Sequence, residues 1–363
     1  MNLLITSAES RKCFDVYNIL KKKVDNVYLC STLGVVKRAL LALIYFKKVH
    51  QTGNVFQLVK EEVLDLKIFP IDEVDLELIY ALEIEWASML PDKKSFHQVV
   101  DKDSLAEHAI KCNVSCPITL KYGKSNSQSI IGKVVVKPAR GTGSDGVKFF
   151  DDHSEATKYL SSLPNNSNML IQELISNKMN VKAGCFLFER GHLISFYGHE
   201  RLRTYPKTGG VTVYSVSHSD KRIMELGERL LAPLNWSGLV MIEFMWSSDV
   251  ADYQLVEVNP RAWGSIMLSE KCDSRMLMNY IDLIFNKPVK KSIGRDNCSI
   301  RWLVPYDILN LVKGEVPISD YKSLNKENDC LINISYASLI QSLLFHLFQF
   351  TQLTKILKKF FPK

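Results

Sequence analysis

Two glutamates stand where their surroundings make them expensive. Glu243 lies within Leu239-Val240-Met241-Ile242-Glu243-Phe244, and Glu257 within Leu255-Val256-Glu257-Val258-Asn259-Pro260-Arg261. A carboxylate in so apolar a strand is costly unless it is paired or bound to a cation. Two on adjacent strands make a hard-oxygen site. Magnesium takes one or two carboxylates and completes its shell with phosphate oxygens and water. Alternation along an extended strand puts Glu257 and Asn259 on one face, with Arg261 able to follow after Pro260. Taken alone, Glu243 also reads as half of a buried ion pair.

A second group is Lys137-Pro138-Ala139-Arg140-Gly141-Thr142-Gly143-Ser144-Asp145-Gly146-Val147, which contains G-x-G-x-x-G. A dinucleotide fingerprint would continue into a helix. Here Val147-Lys148-Phe149-Phe150 follows and reads as a strand. The loop therefore joins two strands as a hairpin flap, whose backbone N–H groups can close over phosphates. No G-K-[ST] follows, so it is not a Walker A loop. The plain alternative is an ordinary glycine hairpin. A third stretch, Leu170-Ile171-Gln172-Glu173-Leu174-Ile175, ends a strand whose backbone could meet an adenine edge, and is uninformative alone.

The elements that must hold these groups are legible in outline. Leu3–Thr6 and Val27–Cys30 read as strands around a helix over 10–23, a β-α-β start with no glycine loop after the first strand. Beyond Ser95 the spacing predicts a helix from Asp103 to Cys112, capped by Asp103 or Ser104. Strands are expected over 130–137, 148–150, 169–175, 183–189, 192–197, 239–246 and 253–258, with helices over 154–163 and 222–231. This gives an α/β unit over 1–92, an α+β unit of two lobes over 93–290, and a basic region with an amphipathic helix over 291–363.

Composition bounds the rest. The 363 residues are 46% hydrophobic and 23% charged, with 17 Gly and 12 Pro; wholesale disorder and low complexity are excluded. The longest apolar run, Ala39 to Phe46, is far short of the ~20 residues of a membrane span. The eight cysteines form no C-x-x-C pair, which argues against structural zinc and for free thiols in a reducing cytosol. The N-terminus reads as a first strand rather than a signal peptide. Net charge is +7, and residues 287–363, with 12 basic and 6 acidic residues, carry six of that excess. A nucleic-acid enzyme would spread it along a groove, so no nucleic-acid partner is expected.

In their order, these pieces resemble the ATP-grasp superfamily over roughly Asp101 to Leu268. The resemblance rests on Asp101-Lys102 before a helix, Lys137 before the glycine loop, Gln172-Glu173, Glu243, and above all Glu257-Val258-Asn259-Pro260-Arg261. Arg201-Leu202-Arg203-Thr204-Tyr205-Pro206-Lys207-Thr208-Gly209-Gly210 and Asn259-Pro260-Arg261-Ala262-Trp263-Gly264-Ser265 are similar to the predicted carboxylate–amine ligases found near polysaccharide-assembly genes. The resemblance implies an ATP-grasp fold behind an N-terminal Rossmann-like domain, and ATP with one or two Mg²⁺, or Mn²⁺, as cofactors. Lys102 and Lys137 would neutralise phosphates. Gly141, Gly143, Ser144 and Gly146 would form the flap. Gln172, Glu173, Leu174 and Ile175 would frame adenine, partly by backbone, and Glu243, Glu257 and Asn259 would hold the metal. Arg261 would stabilise the transferring phosphoryl group, with Lys137 and Arg203 beside it in catalysis, and Arg201 and Arg203 would meet the substrate carboxylate.

The implied reaction is amide formation between a carboxylate and an amine through an acyl phosphate. The alternatives are a phosphotransferase on the same fold and a nucleotide-binding assembly protein with little turnover. The chain departs from the family in reading Ser176-Asn177-Lys178-Met179-Asn180 where a glycine usually follows the hinge, and in lacking an obvious ribose-gripping carboxylate. Residues 336–363 are strongly apolar with Lys355, Lys358, Lys359 and Lys363 and no acid. Two readings stand for them: an interfacial helix on the inner face of an anionic membrane, or a helix packed on the first domain or on a second copy in a homodimer.

Overall fold

The chain begins with strand–helix alternation. β1 (Asn2–Ile5), β2 (Asn26–Ser31), β3 (Val49–Gln51) and β4 (Lys67–Phe69) form a parallel sheet in the order β3-β2-β1-β4. Helices α1 (Arg11–Leu20), α2 (Val35–Tyr45), α3 (Thr52–Lys60) and α4 (Glu73–Ala81) connect and cover it. Ser10 starts α1 by accepting a hydrogen bond from the Cys13 N–H, the capping that Ser supplies at a helix start. This computed structural model describes residues 1–61, 66–83, 89–123, 130–141, 146–164, 168–175, 181–205, 211–303, 307–322, 330–332 and 340–349.

Helices α5 (Lys93–Val100) and α6 (Lys102–Lys111) lead into the second sheet. The α6 cap is Asp101, which accepts from the N–H groups of Asp103 and Ser104. The expected cap at Asp103 or Ser104 is thus two to three residues too late, and the correction places Lys102 at the first helical position. The second sheet holds β5 (Thr119–Lys121), β6 (Val134–Pro138), β7 (Lys148–Phe150) and β8 (Met169–Glu173) in the order β5-β8-β6-β7, with α7 (His153–Ser161) against it. β6 and β7 pair antiparallel, so the glycine loop joins two strands of a hairpin.

The third sheet is the largest. It is built from β9 (Lys182–Glu189), β10 (His192–Tyr205), β11 (Val211–Ser217), β12 (Gly238–Ser247) and β13 (Asp252–Asn259), with α8 (Lys221–Leu231) between β11 and β12. After α9 (Met267–Lys271) and α10 (Met276–Ile284) come β14 (Ser292–Ile293), β15 (Ser299–Arg301), α11 (Ile308–Val312), α12 (Ser319–Lys322) and β16 (Cys330–Ile332). The strand order is β13-β12-β9-β10-β11-β15-β16, with β14 on β10. β14, β15 and β16 therefore extend the central sheet, and residue 291 is no boundary of it. These strands are two or three residues long, too short to leave a period-2 signal.

Residues 340–349 are helical. Phe345 stacks on Phe14 at 4.3 Å and meets Tyr45 edge-on at 6.1 Å, and Phe345 and Phe348 are buried in the core that the first domain shares with the central sheet. Gln341 and Gln349 bond to α1 at Lys21 and to the carbonyl of Glu9. This side of the helix packs on α1 and α2 rather than facing a membrane. The lysines from Lys355 on lie outside the described residues. Among the described residues, no helix is long and apolar enough to cross a membrane.

Candidate functional site

The antiparallel register of β12 and β13 pairs Glu243 directly with Glu257, and cross-strand partners put their Cβ atoms about 4.5–5.5 Å apart on one face. On the other side of β12, Glu243 is opposite Ala183 of β9, which is in turn opposite His199 of β10. The small Ala183 lets Arg201, two residues beyond His199, reach over β9. Its Nη2 bonds to Glu243 Oε1. Burial pushes the Glu243 carboxyl up, the Arg201 charge opposes this, and the nearby Glu257 adds to the rise. Next to it His199 is held between the hydroxyls of Ser215 (3.1 Å) and Ser265 (3.0 Å), and burial pushes its imidazole down to about 3.

Asn259 donates its Nδ2 to Glu257 Oε1 at 2.9 Å, and its Oδ1 accepts from Arg261 Nη2 at 2.7 Å. The Glu257–Asn259–Arg261 series is thus one hydrogen-bonded row, and Pro260 does not break it. Arg261 also donates from Nε to Glu73 Oε1 at 3.2 Å. Glu73 sits in the first turn of α4, in the N-terminal domain, and sequence reasoning missed it. Its only sequence signal is its place after Asp72, the α4 cap.

Two lysines face this row. Lys102 at the start of α6 lies 3.9 Å from Glu257 and donates to the Gly141 carbonyl at 2.9 Å. Lys137 ends its strand buried. Desolvation pushes its ammonium down to about 8, Lys102 adds to that, and Glu257 opposes it. Gly141 (φ 137°) and Gly146 (φ 73°) bracket the loop in backbone regions that favour glycine. Gly143 and Ser144 lie outside the described residues. Glu73, Val99, Val100, Lys102, Leu105, Gly141, Glu257, Val258 and Asn259 line one cleft. It is a place where cations and carboxylates from three parts of the chain converge.

The other predicted residues are not brought into this row. Gln172 donates to Thr119 Oγ1 at 2.7 Å, and Glu173 accepts from the Ile118 N–H at 3.1 Å while its own N–H bonds to the Ile118 carbonyl at 2.9 Å. The Leu174 N–H is bonded to the Lys133 carbonyl at 3.0 Å, and Ile175 follows it at the end of the second sheet. Arg203 points elsewhere. Its Nη1 donates to both carboxylate oxygens of the fully buried Asp307 (2.9 and 3.2 Å), and its Nη2 donates to Asp320 Oδ2 (2.8 Å). These partners come from beyond residue 300, where no fixed spacing announces them. In this structure the Arg203 fork is occupied by these two carboxylates, away from the Glu243–Glu257 row.

The donor set fits a magnesium ion. Glu243 and Glu257 are cross-strand partners on β12 and β13, and the Asn259 side chain adjoins Glu257, its amide oxygen turned to Arg261. Among the described residues no group of three or more His, Cys, Asp or Glu gathers as a metal cage. Magnesium asks for fewer protein ligands than that when phosphates share its shell.

Residues 99–265 match the family described as ATP-grasp domain. No curated protein sequence matches the chain. Among solved structures, the fold is similar to Rhizobium etli pyruvate carboxylase with acetyl coenzyme A (TM-score 0.62, 13% identity), covering 78% of this chain but only 28% of that one. It is similar to the biotin carboxylase domain dimer of Hydrogenobacter thermophilus 2-oxoglutarate carboxylase, solved with MgADP, ADP and bicarbonate (TM-score 0.64, 11% identity, 82% and 73% covered). It is also similar to D-alanine–D-alanine ligase from Bacillus anthracis (TM-score 0.52, 13% identity, 79% and 97% covered). Identities this low establish likeness of fold alone.

Proposed function

We propose that this chain, which has the ATP-grasp fold and carries an ATP-grasp domain over residues 99–265, is an ATP- and Mg²⁺-dependent ligase joining a carboxylate to an amine. The observation that carries the reading is the convergence of Lys102, Lys137, Glu243, Glu257, Asn259 and Arg261 near Gly141. A carboxylate is a poor electrophile. Its oxygen attacks the γ-phosphorus of ATP, the bond to the bridging oxygen breaks, and ADP leaves. The amine then attacks the acyl carbon, phosphate departs, and the nitrogen loses its proton to give an amide.

Phosphoryl transfer relies on positioning and charge neutralisation rather than a protein nucleophile. Lys102 and Lys137 supply positive charge from α6 and β6. Arg261, fixed by Asn259 and Glu73, aims its guanidinium at the charge that develops on transfer. Glu243, Glu257 and Asn259 would hold Mg²⁺, which when bound neutralises phosphate oxygens. The flap between β6 and β7 excludes water from the acyl phosphate. The stretches around Arg201 and Trp263 support an amino acid or amino sugar as reactant, in cell-surface polysaccharide assembly.

The test is ADP release from Mg²⁺-ATP across a panel of amino acids and uronic acids, with hydroxylamine present. Substrate-dependent ADP with hydroxamate is the expected result. ADP without hydroxamate on every productive substrate would assign a phosphotransferase instead.

A further inference from the structure

The longest apolar run in the chain, Ala39 to Phe46, is in α2, and half of it does not enter the core. Leu41, Ile44 and Tyr45 are buried, whereas Val35, Val36, Leu40, Leu43 and Phe46 are exposed, Phe46 by 75%. Their spacing puts them on one face of the helix. The C-terminal helix repeats the pattern. Phe345 and Phe348 go inward, and Ile340, Leu343, Leu344 and Leu347 stay in solvent. The two helices touch through Tyr45 and Phe345, so their outer rows belong to one surface of the N-terminal domain. Isolated exposed leucines need no explanation, but a row of this extent on two packed helices does.

Charge identifies what covers it. Residues 31–60 hold Lys37, Arg38, Lys47, Lys48 and Lys60 and no Asp or Glu; residues 331–363 hold Lys355, Lys358, Lys359 and Lys363 and no Asp or Glu. Lys47 and Lys48, directly after Phe46, are exposed. In sequence, two segments with nine cations and no acid, each holding a helix with an exposed apolar row, match the composition of helices that lie in a lipid interface. A surface made to meet a second copy of itself would place like charges against each other; an anionic lipid surface would not.

We propose that the outer face of α2 and of the helix over residues 340–349 docks this protein on an anionic lipid surface, apolar rows in the acyl boundary and Lys47 and Lys48 against headgroups. This inference does not depend on the ligase reading. It also revises which part of the tail would meet lipid, since the Phe345–Phe348 side is internal.

The test is sedimentation of the full chain with vesicles of phosphatidylcholine mixed with phosphatidylglycerol and with vesicles of phosphatidylcholine alone. Sedimentation is expected with the first and not the second, and it should fall as salt rises. Leu40→Gln with Leu43→Gln keeps helix propensity and should weaken sedimentation about tenfold or more. Lys47→Glu with Lys48→Glu, at exposed positions, should do the same and tests the proposal if the first pair fails to fold. Equal sedimentation with both vesicle types, none with either, or no change in a folded variant overturns it. So does a dimer in solution that the Leu40/Leu43 variant dissociates, which would assign the face to a second copy.

Discussion

The central sheet carries two charged clusters of similar make-up, and their settings differ. In one, Glu243, Glu257, Asn259 and Arg261 run along the β12–β13 side, tied to Arg201 and Glu73 and facing two lysines across a cleft. In the other, Arg203 and Arg301 meet Asp307 and Asp320 near β11 and β15, with the guanidiniums over the rings of Tyr214 and Tyr321. The second cluster is closed: Asp307 is fully buried and faces two arginines. The first has a lysine-lined opening and holds two carboxylates side by side, one pushed up by burial. Residue types do not separate structural charge from reactive charge. What separates the two clusters is setting: one lines a cleft and holds two carboxylates as cross-strand partners, the other sits around a fully buried carboxylate between two arginines.

That distinction is testable at both ends. Removing Asp307 leaves Arg301, 4% exposed, and Arg203 without their shared carboxylate. Breaking a buried pair by deleting one partner costs about 3–5 kcal/mol, so Asp307→Ala should lower unfolding free energy by that amount in a denaturant titration. ADP release per folded molecule should hardly change. Arg261→Ala should do the reverse. Loss of one preorganised charge donor costs about 100- to 1000-fold in kcat, whereas the Glu73 it releases is near the surface and can hydrate. If Asp307→Ala abolished turnover in folded protein, or Arg261→Ala cost only stability, the two clusters would have to be exchanged.

Much of the candidate cluster was readable because it is local. Glu257, Asn259 and Arg261 are two residues apart, and strand alternation is enough to align them. Lys137 announces itself by standing between Val136 and a glycine loop. Arg203 shows where local reading stops: strand alternation alone puts it on the face of Arg201, but the β10–β11 pairing shifts register at Arg201/Arg203 and Arg203/Thr204, and Arg203 pairs with Asp307. Partners such as Asp307, more than 100 positions away, and Glu73, 188 positions from Arg261, leave no periodic trace. Nor do β14, β15 and β16, whose strands are too short for alternation to register.

The lysine pair sharpens the comparison from the side of pH. Lys137 is buried against Lys102, and its ammonium is pushed down to about 8. Raising pH through that value removes a cation from the open cluster and none from the closed one. Since kcat/KM reports groups of the free enzyme, kcat/KM for Mg²⁺-ATP should decline above about pH 8. Lys137→Arg replaces the ammonium with a group that stays charged and should move that decline upward. An unchanged profile in the arginine variant would assign the limb to another group.

The smallest effect concerns the glycine hairpin between β6 and β7. Gly146 has φ 73°, and a Cβ there would meet Pro138 Cγ at 3.2 Å and Cδ at 3.4 Å. A left-handed backbone costs a non-glycine residue about 1–2 kcal/mol, so Gly146→Ala should strain the turn joining β6 to β7. Because Lys137 and Pro138 end β6, the strain acts on the loop's anchor rather than on the β12–β13 carboxylates. The expected signature is a higher KM for ATP, faster amide exchange at Val134 and Val136, and little change in kcat. Gly53, in α3, is the control: only the Gln51 side chain comes near, at 3.5 Å, and Gly53→Ala should add about 0.4–1 kcal/mol of stability. Were Gly146→Ala to lower kcat with KM unchanged, the flap would act on the transferring group itself, and the open cluster would extend into the loop.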